Sequence, residues 1–337
     1  MGAALPCHET AAGDNWTACR LHSRNDHQND NNQHLVYLNG NLVPRERAMI
    51  SVFDSAVMLG DTVTESTRTF AHKPFKLEQH VERLYKSLKV TRINPGMTRD
   101  EMIALSLRVL EANLHLLGPE DDCWLVHNIS RGLSVAGADP TVQRSPATII
   151  IFTSPMILTD WARFYVEGCH AVTPPSRAMP AQALDARIKN RSRMAYTLAE
   201  IEVKLVDPKA QGILLDVHGN IAENKGGNFF IVADGMLKTP VTSNALAGIS
   251  RATVIELAAD LGVPVRECDL QPYDVYTCDE AFFTSTPYCI MPATRFNGLP
   301  VGDGLVGDVT KRLLAAWSTR VGVDIVGQAM RQLGPQP

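Results

Sequence analysis

The chain has 337 residues, of which 45% are hydrophobic and 20% charged, and its net charge at pH 7 is −4. This composition is that of a globular protein, and the length favours two domains, each with a core of its own. The small excess of acidic residues argues against nucleic acid or an anionic membrane as a partner. The longest apolar run, residues 147–152, is too short to span a bilayer.

The N-terminal region predicts a disordered tail rather than a targeting signal. Residues 1–33 are rich in Asn, Asp and His and contain few large aliphatic side chains, so they cannot bury enough apolar surface to fold. No basic start or apolar core of a signal peptide is present, which predicts a cytoplasmic protein with its seven cysteines reduced. The histidines at 8, 22, 27 and 34 lack ligand spacing, and no metal is expected.

The next part of the chain mixes strands and helices. Asn39-Gly40 between two short apolar runs predicts a hairpin. A helix is predicted over residues 77–93, and a second one opens with the capping-box pattern Thr98 to Glu101. Two strands follow, CWLVHNIS at 123–130 and ATIIIFTS at 147–154. We therefore predict a small α/β domain over residues 34–157, with a linker near 154–160.

The remaining chain, residues 158–337, is richer in strands. Hairpin signals recur at residues 218–219, 234–235 and 297–298. Two helical segments interrupt them, RMAYTLAEIEVKLV at 193–206 and SRATVIELAADLG at 250–262. The pattern predicts a larger, barrel-like β domain with flanking helices, and the whole chain is assigned to the α+β class.

Four separated features predict one binding site. Lys189 lies in the basic segment RIKNRSR, Glu223 precedes a pair of glycines, and Arg83 lies on the helix over 77–93. Ser250 is interpreted as the N-cap of a helix whose first amides form an anion site. Pyridoxal phosphate needs an amine for covalent attachment, a carboxylate for its pyridine nitrogen, and a cation with a helix N-terminus for its phosphate.

Seven segments in this order resemble the class IV, or fold type IV, PLP-dependent aminotransferases. That group includes branched-chain aminotransferases, D-amino acid transaminases and (R)-amine transaminases. The resemblance covers roughly residues 35–325, and it is carried by SVFDSAVMLGDTVTESTRTF (51–70), KPFKLEQHVERLY (73–85), NISRG (128–132), RIKN (187–190), IAENKGGNFF (221–230), GISR (248–251) and DEAFFTSTPYCIMP (279–292).

The resemblance implies the fold, the cofactor and the roles of individual residues. Pyridoxal 5′-phosphate is the implied cofactor, and a homodimer is the implied assembly. Lys189 matches the lysine that holds the cofactor covalently and then moves the substrate proton, and Glu223 matches the carboxylate at the pyridine nitrogen. The residues that match phosphate contacts are Arg83, Ile249, Ser250 and Thr286.

Several positions depart from the branched-chain pattern. The tyrosine expected five residues after the lysine is replaced by Met194, and Tyr196 is expected on another face if the segment is helical. In the TSTPYC turn, Ser285 and Pro287 are candidate substrate contacts, and Pro287 has no N–H for a carboxylate. Leu59 and Thr64 stand where aromatic residues line the branched-chain pocket, which makes the predicted pocket less aromatic.

Two arginines are candidates for binding the substrate carboxylate in place of the amide that Pro287 lacks. Arg131 resembles an arginine of the D-amino acid branch. Arg68 follows a strand alternation and could equally form a structural ion pair. Arg191 and Arg193 have no assigned role, and a solvated face or a dimer contact is their expected use. Cys289 is expected as a small buried side chain.

The sequence therefore predicts a PLP-dependent transaminase that exchanges amino and keto groups between a small-molecule donor and a keto acid by a ping-pong mechanism. D-Amino acids, (R)-amines and, in a standard branched-chain enzyme, aliphatic L-amino acids stay open as substrates. A lyase of the aminodeoxychorismate type is an alternative with another reaction. A dimeric binding protein without turnover is a third reading, against which the presence of both Lys189 and Glu223 argues.

Overall fold

The computed structural model describes residues 33–134, 139 and 141–334. Apart from Gln33, the tail predicted for residues 1–33 lies outside the described residues. Of the four histidines considered above, only His34 is described.

The N-terminal half of the described chain forms a six-stranded antiparallel sheet with the order β2-β1-β6-β5-β3-β4. Its strands are β1 (Leu35–Leu38), β2 (Asn41–Pro44), β3 (Thr62–Phe70), β4 (Lys73–Pro74), β5 (Cys123–Ser130) and β6 (Thr148–Pro155). The turn between β1 and β2 has positive φ at both Asn39 and Gly40, 47° and 103°. These values are those of the tight hairpin turn that the Asn-Gly pair predicts.

Two long helices cover one face of this sheet, and a short helix precedes β3. The helices are α1 (Ser55–Met58), α2 (Leu77–Thr91) and α3 (Arg99–Asn113). The capping box at Thr98 and Glu101 is formed, which confirms the predicted start of α3. Leu84 and Leu88 of α2 are buried as expected and pack with Val63 of β3 in the first core.

The C-terminal half forms an eight-stranded mixed sheet with the order β11-β10-β9-β12-β13-β7-β8, and the last strand, β14, pairs with β13. Its strands are β7 (Cys169–Val172), β8 (Gln211–Gly212), β9 (Asn228–Ala233), β10 (Met236–Thr239), β11 (Val265–Glu267), β12 (Glu280–Ser285), β13 (Cys289–Phe296) and β14 (Leu299–Pro300). Asp234-Gly235 and Asn297-Gly298 form the predicted hairpin turns, each with positive φ at both residues. At His218-Gly219 the chain also turns, and its arms are joined by the bridge between Leu215 and Ile221 and by backbone hydrogen bonds such as Ala222 N to Leu214 O at 2.9 Å, without forming a pair of strands.

Seven helices flank this second sheet in the described chain. They are α4 (Thr159–Ala162), α5 (Phe164–Glu167), α6 (Met194–Val206), α7 (Ile249–Asp260), α8 (Pro272–Thr277), α9 (Asp308–Val321) and α10 (Ile325–Arg331). The central strands β9 and β12 are buried on both faces, and their four phenylalanines, at 229, 230, 282 and 283, form the middle of the second core. A continuous apolar run is what a strand covered on both faces requires.

The start of α7 corrects one detail of the sequence interpretation. The N-cap is Gly248, with φ −68° and ψ 137°, and Ser250 is the second residue of the helix. A side chain at 248 would meet Asn228 Oδ1 at 2.1 Å. Close packing therefore selects a glycine at the cap, and Ser250 contributes its amide and hydroxyl from inside the first turn.

The two sheets are joined by residues that cross between them. Phe70 and Trp124 belong to the first sheet but pack in the second core. By its internal contacts, the described chain from residue 33 onwards forms one compact unit. The predicted domain boundary between residues 157 and 158 therefore stays a prediction. No helix in the described part of the chain is long and apolar enough to cross a membrane.

Candidate active site

Lys189 is attached to the first sheet by its backbone. The amide of Thr64 donates to Lys189 O at 2.9 Å, and Arg191 N donates to Thr62 O at 2.9 Å. Residues 189–191 therefore run as an extended segment along the edge of β3, and helix α6 begins only at Met194. The amide of Lys189 also donates to Ser87 Oγ of α2, at 3.2 Å.

A cleft of about 410 Å³ contains all six predicted cofactor residues in its lining. Its lining includes Arg83, Lys189, Arg193, Glu223, Asn224, Gly227, Ile249, Ser250, Ser285 and Thr286. These residues come from α2, the segment before α6, the loop before β9, the start of α7 and the end of β12. The six predicted cofactor residues thus meet, although the sequence separates Arg83 from Thr286 by most of the chain.

Burial lowers the pKa of Lys189 to about 8. The charge of Glu65 opposes this shift, while the guanidinium groups of Arg83 and Arg193 add to it. A lysine amine with such a pKa is partly neutral near pH 7, which suits it to attack a carbonyl carbon and to carry a proton.

Arg83 is held by a buried carboxylate that the sequence interpretation missed. Its Nε donates to Glu65 Oε2 at 2.9 Å and its Nη2 to Glu65 Oε1 at 2.7 Å. His80 Nδ1 lies 3.0 Å from the same carboxylate. Burial by itself would raise the pKa of Glu65, but the charges of Arg83 and His80 and their hydrogen bonds hold it well below the usual value.

The signal for Glu65 was present in the sequence: apart from Glu65 and Arg68, the strand TVTESTRTF is apolar or hydroxyl-bearing, and a carboxylate buried in such a strand requires a buried cation. The helix of Arg83 supplies it. Three of the five guanidinium N–H groups are used, with Nη1 donating to Ala247 O at 3.0 Å. Two remain for an anion in the cleft.

Glu223 is fixed by two hydrogen bonds at the other end of the cleft. Tyr196 Oη donates to Glu223 Oε1 at 2.5 Å, and Leu246 N donates to Oε2 at 2.7 Å. Burial raises the pKa of Glu223, and these two donors, with Arg193 and Lys189, oppose the rise. Met194 and Tyr196 both lie in α6 and point to different faces, as expected for residues two apart in a helix: Met194 is 79% exposed, whereas Tyr196 reaches Glu223.

The turn before β9 brings backbone close to the cleft. A Cβ on Gly227 would lie 2.5 Å from Thr284 O and 2.7 Å from Tyr288 Oη. Ser285 Oγ donates to Gly226 O and ties this turn to the end of β12. The first amides of α7, at Ile249 and Ser250, line the same space and have no acceptor within the helix. This set of donors fits a phosphate, and the cleft as a whole fits pyridoxal phosphate.

The candidate substrate residues lie in different surroundings. Arg68 is 1% exposed; its Nη1 donates to Pro287 O and its Nη2 to Gln328 Oε1 at 2.5 Å. Its charge therefore holds the turn that carries Pro287. Arg131 forms an ion pair with Asp61, Nε to Oδ2 at 2.7 Å, and donates to Thr91 O and Arg92 O.

The structure brings neither arginine into the lining of the cleft. Thr64 is buried beside the backbone of Lys189, and its hydroxyl donates to His127 O at 2.9 Å. Leu59 is 70% exposed and Met194 is 79% exposed. Cys289 is fully buried, as expected for a small apolar side chain. Within the described residues no cluster of His, Cys, Asp and Glu is arranged to hold a metal ion.

The family model for amino-transferase class IV matches residues 62–296, which span β3 to β13 and include all the cleft residues. The chain belongs to the class IV aminotransferases. It is therefore a PLP-dependent aminotransferase of fold type IV, and this confirms the family, the fold class and the type of enzyme that the sequence predicts.

Relatives of the chain point to one branch of the family. A putative branched-chain-amino-acid aminotransferase of Methanocaldococcus jannaschii is 34% identical over 281 residues, covering 82% of this chain and 93% of the relative. The Escherichia coli branched-chain-amino-acid aminotransferase is 31% identical over 288 residues, covering 84% and 91%.

Solved structures point to the same branch. The crystal structure of the E. coli branched-chain amino acid aminotransferase superposes with a TM-score of 0.77 at 30% identity, covering 85% of this chain and 94% of that one. A branched-chain aminotransferase from the thermophilic archaeon Thermoproteus uzoniensis, solved with norvaline, superposes with a TM-score of 0.76 at 26% identity, covering 89% and 97%.

Proposed function

We propose that this class IV aminotransferase transfers the amino group of an aliphatic L-amino acid to a keto acid by a ping-pong mechanism, with pyridoxal phosphate held on Lys189. The observation that carries the proposal is the cleft in which the Lys189 amine, the Glu223 carboxylate and the Arg83 guanidinium are lined up with the start of α7. The branched-chain enzymes among the relatives support the aliphatic substrate.

Each residue of the cleft has a distinct task in this proposal. When bound, pyridoxal phosphate supplies an electron sink for the bond broken at the substrate Cα. Arg83 and the amides of Ile249 and Ser250 bind its phosphate. Glu223 accepts a hydrogen bond from the pyridine nitrogen and keeps it protonated. Lys189 would accept the proton of the substrate Cα and deliver it to the cofactor C4′, a role for which a pKa of about 8 is suited.

Two local features favour a second substrate class, D-amino acids or (R)-amines. Pro287 has no N–H with which to bind a substrate carboxylate, and its carbonyl accepts a hydrogen bond from Arg68. Met194, at the position of the branched-chain tyrosine, is 79% exposed. The first departure removes a donor for the substrate carboxylate, and the second removes the tyrosine that binds the phenolic oxygen of the cofactor in branched-chain enzymes.

The proposal includes a homodimer. Helix α6 carries Met194, Leu198, Ile201 and Leu205 at intervals of four, three and four residues, exposed by 79%, 54%, 53% and 83%. Residues three or four apart lie on one side of a helix, so these four form a continuous apolar stripe. An exposed apolar stripe of this kind supports contact with another protein surface.

Single half-reactions test the proposed function. The holoenzyme is mixed with L-leucine, D-alanine or (R)-1-phenylethylamine, and the shift of the cofactor absorbance is recorded. Conversion by L-leucine alone is expected. Conversion by D-alanine or the (R)-amine with L-leucine inert would replace the proposed substrate with the second class. Release of pyruvate from an amino donor without a keto acceptor would indicate a lyase.

A further inference from the structure

The hydroxyl of Tyr196 is bonded to the carboxylate of the cofactor site. Tyr196 Oη donates to Glu223 Oε1 at 2.5 Å, while Leu246 N donates to Oε2. Each oxygen of the carboxylate thus accepts one of these two hydrogen bonds and has a second lone pair for another donor. Two donors on the two oxygens determine both the position and the rotation of the carboxylate.

The ring of Tyr196 is itself anchored. It packs against Ala178, Ala199, Leu214 and Ala222, which form a small buried cluster beside α6. Tyr196 is the third residue of the helix, and Met194, in the position expected for the tyrosine, points into solvent. The tyrosine of this segment is thus at position 196 instead of 194, and from there its hydroxyl reaches Glu223.

Arg193 lies over the same ring. Its Cζ is 5.1 Å from the centroid of Tyr196, within the range of a cation–π contact. Arg193, Tyr196 and Glu223 together line a second cavity beside the first, which also includes Lys189 and Asn244. A cation on the face of a phenol withdraws electron density from its oxygen and makes the hydroxyl a stronger donor.

We propose that Tyr196, with Arg193 on its ring, is a positioning residue that holds the Glu223 carboxylate ready for the pyridine nitrogen of the cofactor. The inference rests on the proposed function for the identity of that nitrogen, but the contact between Tyr196 and Glu223 is independent of it. This assigns Arg193 a use that the sequence left open.

The titration of Glu223 has a definite direction in this arrangement. Burial raises the pKa of its carboxyl, so the stability of the folded protein falls as pH rises through that pKa. The titratable and charged groups that face it among the described residues are Tyr196, Arg193 and Lys189. Each of them lowers the pKa, and removing the Tyr196 hydroxyl therefore raises it further.

The first test uses the cofactor-free protein. The free energy of unfolding of Tyr196→Phe is compared with that of the wild type at about pH 5 and about pH 8. We expect a greater loss of stability at the higher pH, because only the ionised carboxylate loses a charge-assisted hydrogen bond. In a Glu223→Gln background the loss should be the same at both pH values. A loss independent of pH in the wild-type background would overturn the proposal.

The matched control is Tyr85→Phe. Tyr85 is also partly buried, and its hydroxyl lies within hydrogen-bond distance of Met97 O and Thr98 O, which precede α3. Its removal deletes the same atom without touching an ionisable group of the cleft. The cost of this variant should not grow between the two pH values.

The second test measures the affinity for pyridoxal phosphate by absorbance titration of the cofactor-free protein. Tyr196→Phe should raise the Kd roughly tenfold, the loss expected for one hydrogen bond to a charged group. Arg193→Met should raise it by a smaller factor. In the Glu223→Gln background Tyr196→Phe should change the Kd less than about twofold.

The outcomes separate the two proposals. An unchanged Kd for Tyr196→Phe, or an equal effect with and without Glu223, would overturn the positioning role. An unchanged Kd for Arg193→Met would remove Arg193 from it. If the folded wild type bound no pyridoxal phosphate at all, the proposed function would fail, and the unfolding experiment would still decide whether Tyr196 controls Glu223.

Discussion

At the residue scale, the proposed chemistry of this aminotransferase uses four charged side chains that are buried or line the cleft. Glu65 holds Arg83 at one end of the cleft, Glu223 lies at the other, and Lys189 lies between them. Sequence motifs predicted three of these four residues. Glu65 was missed because its function is to hold another side chain, and only the fold brings β3 and α2 together.

The pKa of Lys189 predicts how fast the cofactor-free protein captures pyridoxal phosphate. Only the neutral amine attacks the aldehyde, so the rate should rise with pH and level off above about 8. A solvated lysine would instead give a rise up to about pH 10. Stopped-flow absorbance measures this directly.

Two variants make that measurement specific. Lys189→Ala should abolish covalent capture, and the exposed Lys209→Ala should leave the rate and its pH profile unchanged. A rate that still climbs near pH 10 in the wild type would contradict the lowered pKa of Lys189.

At the element scale, the candidate site lies at the ends of helices and strands. The amides that face the cleft belong to the first turn of α7, and the close turn at Gly226 and Gly227 precedes β9. The sequence predicted these helices and strands well, since capping boxes, Asn-Gly and Asp-Gly turns and continuous apolar runs are local signals. It misplaced the cap of α7, since the packing of Asn228 against Gly248 joins positions that no local pattern connects.

The turn at 226–227 allows a matched pair of variants. Gly227→Ala should lower the free energy of unfolding by about 1–3 kcal/mol, because its Cβ would overlap Thr284 O and Tyr288 Oη. Gly226→Ala meets nothing within 4 Å and should cost less than about 1 kcal/mol. Both change the entropy of the unfolded chain alike. Equal costs in denaturant unfolding would show that β12 does not constrain the turn.

At the scale of the whole molecule, two sheets with separate cores meet along the cleft, and the apolar stripe on α6 faces outwards. Burial of one leucine side chain is worth about 1.5–3 kcal/mol. In the proposed dimer these four side chains would be buried at the interface. Because α6 begins five residues after Lys189, the proposed interface would lie close to the candidate active site.

A charge in the stripe should disrupt the proposed dimer. We expect Leu198→Glu to sediment as a monomer at a concentration where the wild type sediments as a dimer. Val90→Glu, on an isolated exposed valine of α2, should leave the mass unchanged. A dimeric Leu198→Glu variant, or a monomeric wild type, would remove α6 from the interface.

The sequence by itself determined the family, and it predicted the cofactor and the role of Lys189, because each depends on residue types in a fixed order along the chain. It also determined most helices and strands, whose signals lie within a few residues. The tertiary structure alone decided how the charges are paired. It bonded Arg68 to the Pro287 turn, paired Arg131 with Asp61, and turned Tyr196 towards Glu223. A side chain's partner depends on which distant strand, helix or loop the fold brings within about 3 Å, and no local spacing encodes that distance.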